Sequence, residues 1–128
     1  MGSGINSFTS NLRSLKNGGG MFDGCNNLIS FKGDLSSLTD GSYMFLGCKL
    51  DTASVQNIAI TINDINGDSS AYPEMWIGIA NESPNDVEIT RLNKILSKGW
   101  NVYVNGSPYS YRPSPFKYAE CENVEEVK

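Results

Sequence analysis

Three stretches of the chain combine residue types and spacings that could do chemistry. Asp64-Ile65-Asn66-Gly67-Asp68 matches the D-x-N-x-D opening of a calcium loop, in which alternate side-chain oxygens converge on a hard cation. Its sixth position is Ser69 rather than glycine and its twelfth is Met75 rather than glutamate, so the expectation is an Asx-rich turn. Gly18-Gly19-Gly20 offers bare backbone to a phosphate but lacks the Lys-Ser/Thr sequel of a phosphate loop. The cysteines, Cys25, Cys48 and Cys121, are odd in number and widely spaced, which suits neither a disulfide framework nor a zinc site. Cys121 sits among glutamates, which disfavour its thiolate.

What is missing narrows the chemistry further. The chain has no histidine, which removes Ser-His and Cys-His nucleophilic pairs and the commonest general base. Its acids are scattered through turns and the C-terminal end, and no pair of them stands out as an acid/base couple. No catalytic residue, cofactor site or metal ligand is therefore assigned, and an enzyme is not expected. A net charge of −4 argues against a nucleic-acid partner. No apolar run approaches the roughly 18 residues of a bilayer crossing, so no membrane insertion is expected. Met1-Gly2-Ser3-Gly4 and the residues after it do not read as a secretory signal. The sequons at Asn81 and Asn105 each have proline directly after their serine and read as turns.

The elements that would position any site are organised by an internal repeat. Residues 7–18 (SFTSNLRSLKNG) lie over residues 30–41 (SFKGDLSSLTDG) at an offset of 23, and Met21-Phe22-Asp23-Gly24-Cys25 lies over Met44-Phe45-Leu46-Gly47-Cys48. A 23-residue period falls within the leucine-rich-repeat range of about 20–29 residues. Each unit would hold a short strand near Leu28-Ile29-Ser30-Phe31, a Leu-x-x-Leu segment (Leu35, Leu38), a Gly/Ser turn, and a helical turn at Met-Phe-x-Gly-Cys. Gly18-Gly19-Gly20 is then a repeat turn, with Gly41-Ser42-Tyr43 as its counterpart. Phe31, Leu35, Leu38, Phe45 and Cys48 are expected to face inward and stack on their counterparts. Cys25 and Cys48 read as buried thiols, with a disulfide geometrically conceivable.

These phrases (Leu-x-Ser-Phe, Asp-Leu-Ser-Ser-Leu-Thr and Met-Phe-x-Gly-Cys) resemble the BspA-like leucine-rich repeats, strongly over residues 7–50 and more weakly beyond. That family is abundant in surface proteins of gut and oral bacteria and in structural proteins of their phages. The resemblance implies adhesion or interaction rather than catalysis, and an extracellular setting on a bacterial surface or a virion.

From Asp51 the pattern changes. Val55, Ile58, Ala59, Ile62 and Ile65 form a stripe of helical period, capped by Asp51 or Thr52 and stopped near Asn66-Gly67. Trp76-Ile77-Gly78-Ile79-Ala80 reads as a buried strand. Ser83 then caps a second helix with Pro84 at its first position, apolar at Ile89, Leu92, Ile95 and Leu96 and ended by Gly99. Trp100-Asn101-Val102-Tyr103-Val104 is the next strand, and Asn105-Gly106 can turn a hairpin that Pro108 keeps short.

The expected fold class is thus α/β: a short leucine-rich-repeat-like solenoid with irregular repeats over 1–50, helix–strand repeats closing it over 51–106, and a Pro/aromatic and acidic tail over 107–128. A separate small αβ domain after residue 66 is the competing reading. Period-two alternation would turn Ser30, Lys32 and Tyr103 outward as a strand face for a protein or glycan partner, with Tyr109 and Tyr111 as candidate aromatic contacts in the tail. The alternative is a structural virion component, fibre or capsid decoration, in which the repeats are spacer and docking surface. The N-terminal end begins mid-repeat without a cap. It is expected to be covered by further repeats, another domain or a subunit.

Overall fold

The computed structural model describes residues 4–113. Its centre is a four-stranded mixed sheet. β3 (Asp40–Leu50), β4 (Tyr72–Ile79) and β5 (Asn101–Val104) run parallel, and β6 (Ser107–Tyr109) closes the edge antiparallel to β5. Parallel neighbours require crossovers. α1 (Thr52–Thr61) leads from β3 to β4, and α2 (Asp86–Ser97) from β4 to β5. Asn105 and Gly106 both take positive φ, 51° and 86°, the tight turn that reverses the chain into β6. A separate pair, β1 (Ser7–Phe8) and β2 (Ser30–Phe31), is parallel with Ser7 opposite Ser30.

Local chemistry sets these boundaries. Asp51 caps α1 by accepting from the Ser54 N–H at 2.9 Å. α2 begins with a full capping box: Asn85 accepts from the Glu88 N–H at 2.8 Å, and Glu88 accepts from the Asn85 N–H at 2.9 Å. Gly99, at φ 98°, ends α2 in the left-handed conformation. The preceding Lys98 ammonium donates to the carbonyls of Ala59 and Ile62, each at 2.9 Å, and so caps the C-terminus of α1. Polar side chains of α1 also serve the irregular backbone beside it. Ser54 Oγ accepts from the Phe31 N–H at 2.8 Å, and Asn57 donates to the Gly33 carbonyl at 2.9 Å.

The core is continuous from Phe22 to Tyr109 and crosses residue 66 without a break. Val55, Ile58 and Ala59 of α1 and Leu92 and Ile95 of α2 bury against Met75, Ile77, Val102 and Val104 of the sheet. At the N-terminal side four phenylalanines pack together. Phe8 stacks on Phe31 at 5.7 Å and Phe22 on Phe45 at 5.5 Å, with edge-to-face contacts between the pairs. Each pair joins residues 23 apart. Such contacts add about 0.5–1.5 kcal/mol beyond the area buried.

The solenoid expected from the repeat is not what forms. The chain folds into a small α/β unit with a four-stranded mixed sheet, a two-stranded sheet and two helices, without solenoid closure. The two matching segments diverge physically. The second Met-Phe-x-Gly-Cys segment lies inside the eleven-residue β3, whereas the first remains a run of turns. β3 meets β4 through repeated register shifts, and the last strand reverses direction, so no uniform rung propagates. Two smaller expectations also change. Asn85, not Ser83, caps α2, and Pro84 lies before the helix. Trp76 belongs to a strand but points outward rather than into the core. Pro115, Phe116, Tyr118, Cys121 and the glutamates at 120, 122, 125 and 126 lie outside the described residues, as does the leader Met1-Gly2-Ser3.

Candidate functional site

The outward face of the mixed sheet carries an aromatic column. In β4, Met75, Ile77 and Ile79 bury, which leaves Glu74 and Trp76 on the opposite face. In β5, Val102 and Val104 bury and Tyr103 turns outward, directly opposite Trp76. The Trp76 and Tyr103 rings stack at 4.1 Å with planes 9° apart, and Tyr43 of β3 packs on Trp76 at 4.5 Å. Pro108 of β6 lies opposite Tyr103 and extends the apolar strip to the sheet edge. As an edge-strand residue it can lack an N–H without breaking the ladder.

The column is held and charged by its neighbours. The Trp76 indole N–H donates to Glu74 at 2.9 Å, which fixes the ring. Tyr72, 54% exposed, sits beside Glu74, and that carboxylate raises its phenol above the ordinary value; burial, Asp40 and Tyr43 push the same way. Asp40 pairs with Tyr72 across the strands and accepts from the Ser42 N–H at 2.9 Å and hydroxyl at 2.7 Å. The face is therefore aromatic and hydroxylated, with carboxylates at one end. Tyr43 is 48% exposed and holds φ 57°, a conformation that non-glycine residues seldom adopt.

The residues expected to form one strand face do not meet. Tyr103 lies in the mixed sheet, whereas Ser30 belongs to the two-stranded sheet and Lys32 follows it, with its N–H donating to the Phe8 carbonyl at 2.8 Å. Lys32 is exposed and Ser30 half-buried. Tyr109 is no partner contact. It is buried, with its hydroxyl donating to Asn93 Oδ1 at 2.9 Å, and it anchors the hairpin to α2. Burial raises its phenol above the ordinary value, an effect Arg112 partly offsets. Tyr111 is exposed.

Other candidates have structural duties. Asp64 accepts from the Asn66 N–H at 3.0 Å and Asp68 from the Ser70 N–H at 2.9 Å, so the calcium-like stretch forms two Asx turns. Cys25 and Cys48 are buried free thiols, and Cys48 donates to the Phe22 carbonyl at 3.3 Å. Burial pushes the Cys48 thiol up to about 12, with Cys25 and Asp23 adding to it. The Asn105 side-chain Oδ1 accepts from the Ile79 N–H at 2.9 Å. Sequence reasoning missed Tyr43 and Trp76. Alternation along 72–79 carried the signal for Trp76, while nothing in the local pattern marked Tyr43.

Comparison of the chain with protein-family models, with curated proteins and with solved structures finds no match.

Proposed function

We propose that the chain is a non-catalytic recognition module that presents the outward face of β3, β4 and β5 to a protein or glycan partner. The observation that carries this reading is the column Tyr43–Trp76–Tyr103, three large aromatic side chains set side by side on a solvent-facing sheet. Tyr43 is exposed and Trp76 and Tyr103 are half-buried beside it, and surface aromatic clusters of this kind mark interaction surfaces, in which Trp and Tyr dominate binding hot spots. The chemistry nearby favours binding over turnover: Glu74 is committed to the Trp76 indole, and the chain has no histidine to act as a base. The resemblance to BspA-like sequences supports an extracellular setting, on a bacterial surface or a phage particle.

The test uses the whole chain on arrays of glycans and of purified bacterial surface proteins. A ligand should be found whose binding weakens at least about tenfold in Trp76→Ala and in Tyr103→Ala, the scale of a hot spot. Circular dichroism checks that each variant is folded. Binding indifferent to both substitutions, or no binding on either array, overturns the reading.

A second reading has its own observation. Ile5, Phe8, Leu12 and Leu15 are only partly buried, whereas their counterparts Leu28, Phe31, Leu35 and Leu38 are fully buried. This open apolar end favours an assembly component, such as a virion part, in which another subunit or more chain covers it. Light scattering tests it: self-association should grow with concentration and be lost in Phe8→Asp, and a monodisperse monomer refutes self-assembly.

A further inference from the structure

The aromatic column stops at β3, and the reason is a glycine. Hydrogen bonds from the Gly20 N–H to the Ser42 carbonyl (2.8 Å) and from the Phe22 N–H to the Met44 carbonyl (2.9 Å) run residues 18–24 alongside β3. This register sets Phe22 beside Phe45, whose rings stack, and sets Gly20 beside Tyr43. Gly20 has φ 69°, and a Cβ placed there would meet nothing within 4 Å. One side of the Tyr43 ring is covered by Trp76. On the next strand-like segment the position beside Tyr43 is Gly20, so the column has no fourth side chain there and the space a Cβ would enter is open. Neighbouring strands lie about 4.7–4.9 Å apart, which is room for one more stacked ring, and this open position is the shelf.

We propose that this shelf binds a pyranose ring of a neutral glycan, stacked on the outer face of Tyr43 over Gly20, an inference that rests on the recognition-module reading. The polar rim decides between flat ligands. Asp40, Tyr72, Glu74 and the Tyr43 hydroxyl gather at the column, and the backbone of Asn17 pairs with that of Asp40 on the glycine side. A sugar brings C–H groups to the negative ring face and hydroxyl donors to the carboxylates. A phenylalanine ring of a protein would stack but bring the rim no donor, and a tyrosine or tryptophan brings one, where a sugar ring brings several. Sialylated, sulfated or phosphorylated rings would meet like charge.

The experiment titrates the isotope-labelled full chain with maltohexaose, cellohexaose and N-acetyllactosamine, with sialyllactose as the anionic control. One neutral sugar should shift the Trp76 indole and Tyr43 signals with a roughly millimolar dissociation constant, as expected of a single stacked ring. Saturation of the Tyr43 ring should transfer most strongly to one C–H face of that sugar. Gly20→Asn tolerates positive φ and fills the shelf. It should weaken binding at least about tenfold while leaving the Trp76 indole signal in place. No shift with any neutral sugar at about 50 mM, or undiminished binding by folded Gly20→Asn, overturns the proposal. A protein ligand that needs Trp76 but not Gly20 overturns it too, while leaving the recognition-module reading intact.

Discussion

Glu88 offers a sharp test of how the two helices are tied together. Its carboxylate is fully buried yet accepts three hydrogen bonds: from the Thr52 hydroxyl at 3.0 Å, the Asn81 amide at 3.2 Å and the Asn85 N–H at 2.9 Å. Glu88→Ala removes the acceptor for all three donors. A donor stranded away from water costs about 1–3 kcal/mol. Asn81 and Asn85 are exposed residues that water can reach, so the low end applies, roughly 2–3 kcal/mol for the set. One lost methylene adds about 0.8 kcal/mol. The expected total is about 3 kcal/mol. Glu88→Gln should cost under about 1 kcal/mol, because its carbonyl oxygen still accepts from Asn81 and Asn85 while its amide donates to Thr52. Thr52 Oγ1 already accepts from the Asn85 amide at 2.9 Å and keeps a second lone pair for this. Urea unfolding followed by circular dichroism reads the difference as a shift in midpoint at constant slope. If alanine costs under about 1 kcal/mol, or glutamine costs as much as alanine, the acceptor geometry is not what Glu88 contributes.

Two further outcomes follow from buried backbone and thiol. In Gly78→Ala the new Cβ would lie 2.5 Å from the Cys48 carbonyl oxygen and 2.7 Å from both Cys48 N and the Phe45 carbonyl oxygen, all of them backbone atoms. β4 must then separate from β3, at about 3 kcal/mol or more; a wild-type thermal midpoint would refute so tight a contact. With the Cys48 thiol pushed up to about 12 by burial, the unfolded thiol ionises first as pH rises. Stability should be undiminished below pH 9 and fall between 9 and 12, less so in Cys48→Ala. In a Cys121→Ser background iodoacetamide should label neither remaining cysteine of the native chain at pH 8, and rapid labelling would show them accessible.

Much of the local structure was legible in residue types. Asp51 and Gly99 marked helix ends, Asn105-Gly106 marked the hairpin, and alternation turned Val102 and Val104 inward and Tyr103 outward. The repeat correctly brought Phe8 to Phe31 and Phe22 to Phe45. It misled on architecture because identical residues at matching positions do not force identical backbones. One Met-Phe-x-Gly-Cys segment is paired on its far side by β4 and becomes strand, while the other has no such neighbour and stays a string of turns. The candidate site was only partly legible for a related reason. Tyr103 follows from period two, but Tyr43 reaches the column through a positive-φ kink in a bulged strand, which alternation cannot anticipate. Tyr109 was misplaced because its partner, Asn93, comes from a helix sixteen residues earlier.

The two edges of the described residues are chemically unlike, and that limits how copies can add to one another. At one end β6 runs backwards and carries Pro108, a poor template for another strand. At the other, β1 pairs only with β2 and leaves its outer side open. Among the described residues, strand addition between two copies is therefore favoured at β1 over β6, and two copies meeting there would pair like edge with like, the self-complementary geometry of a two-fold contact.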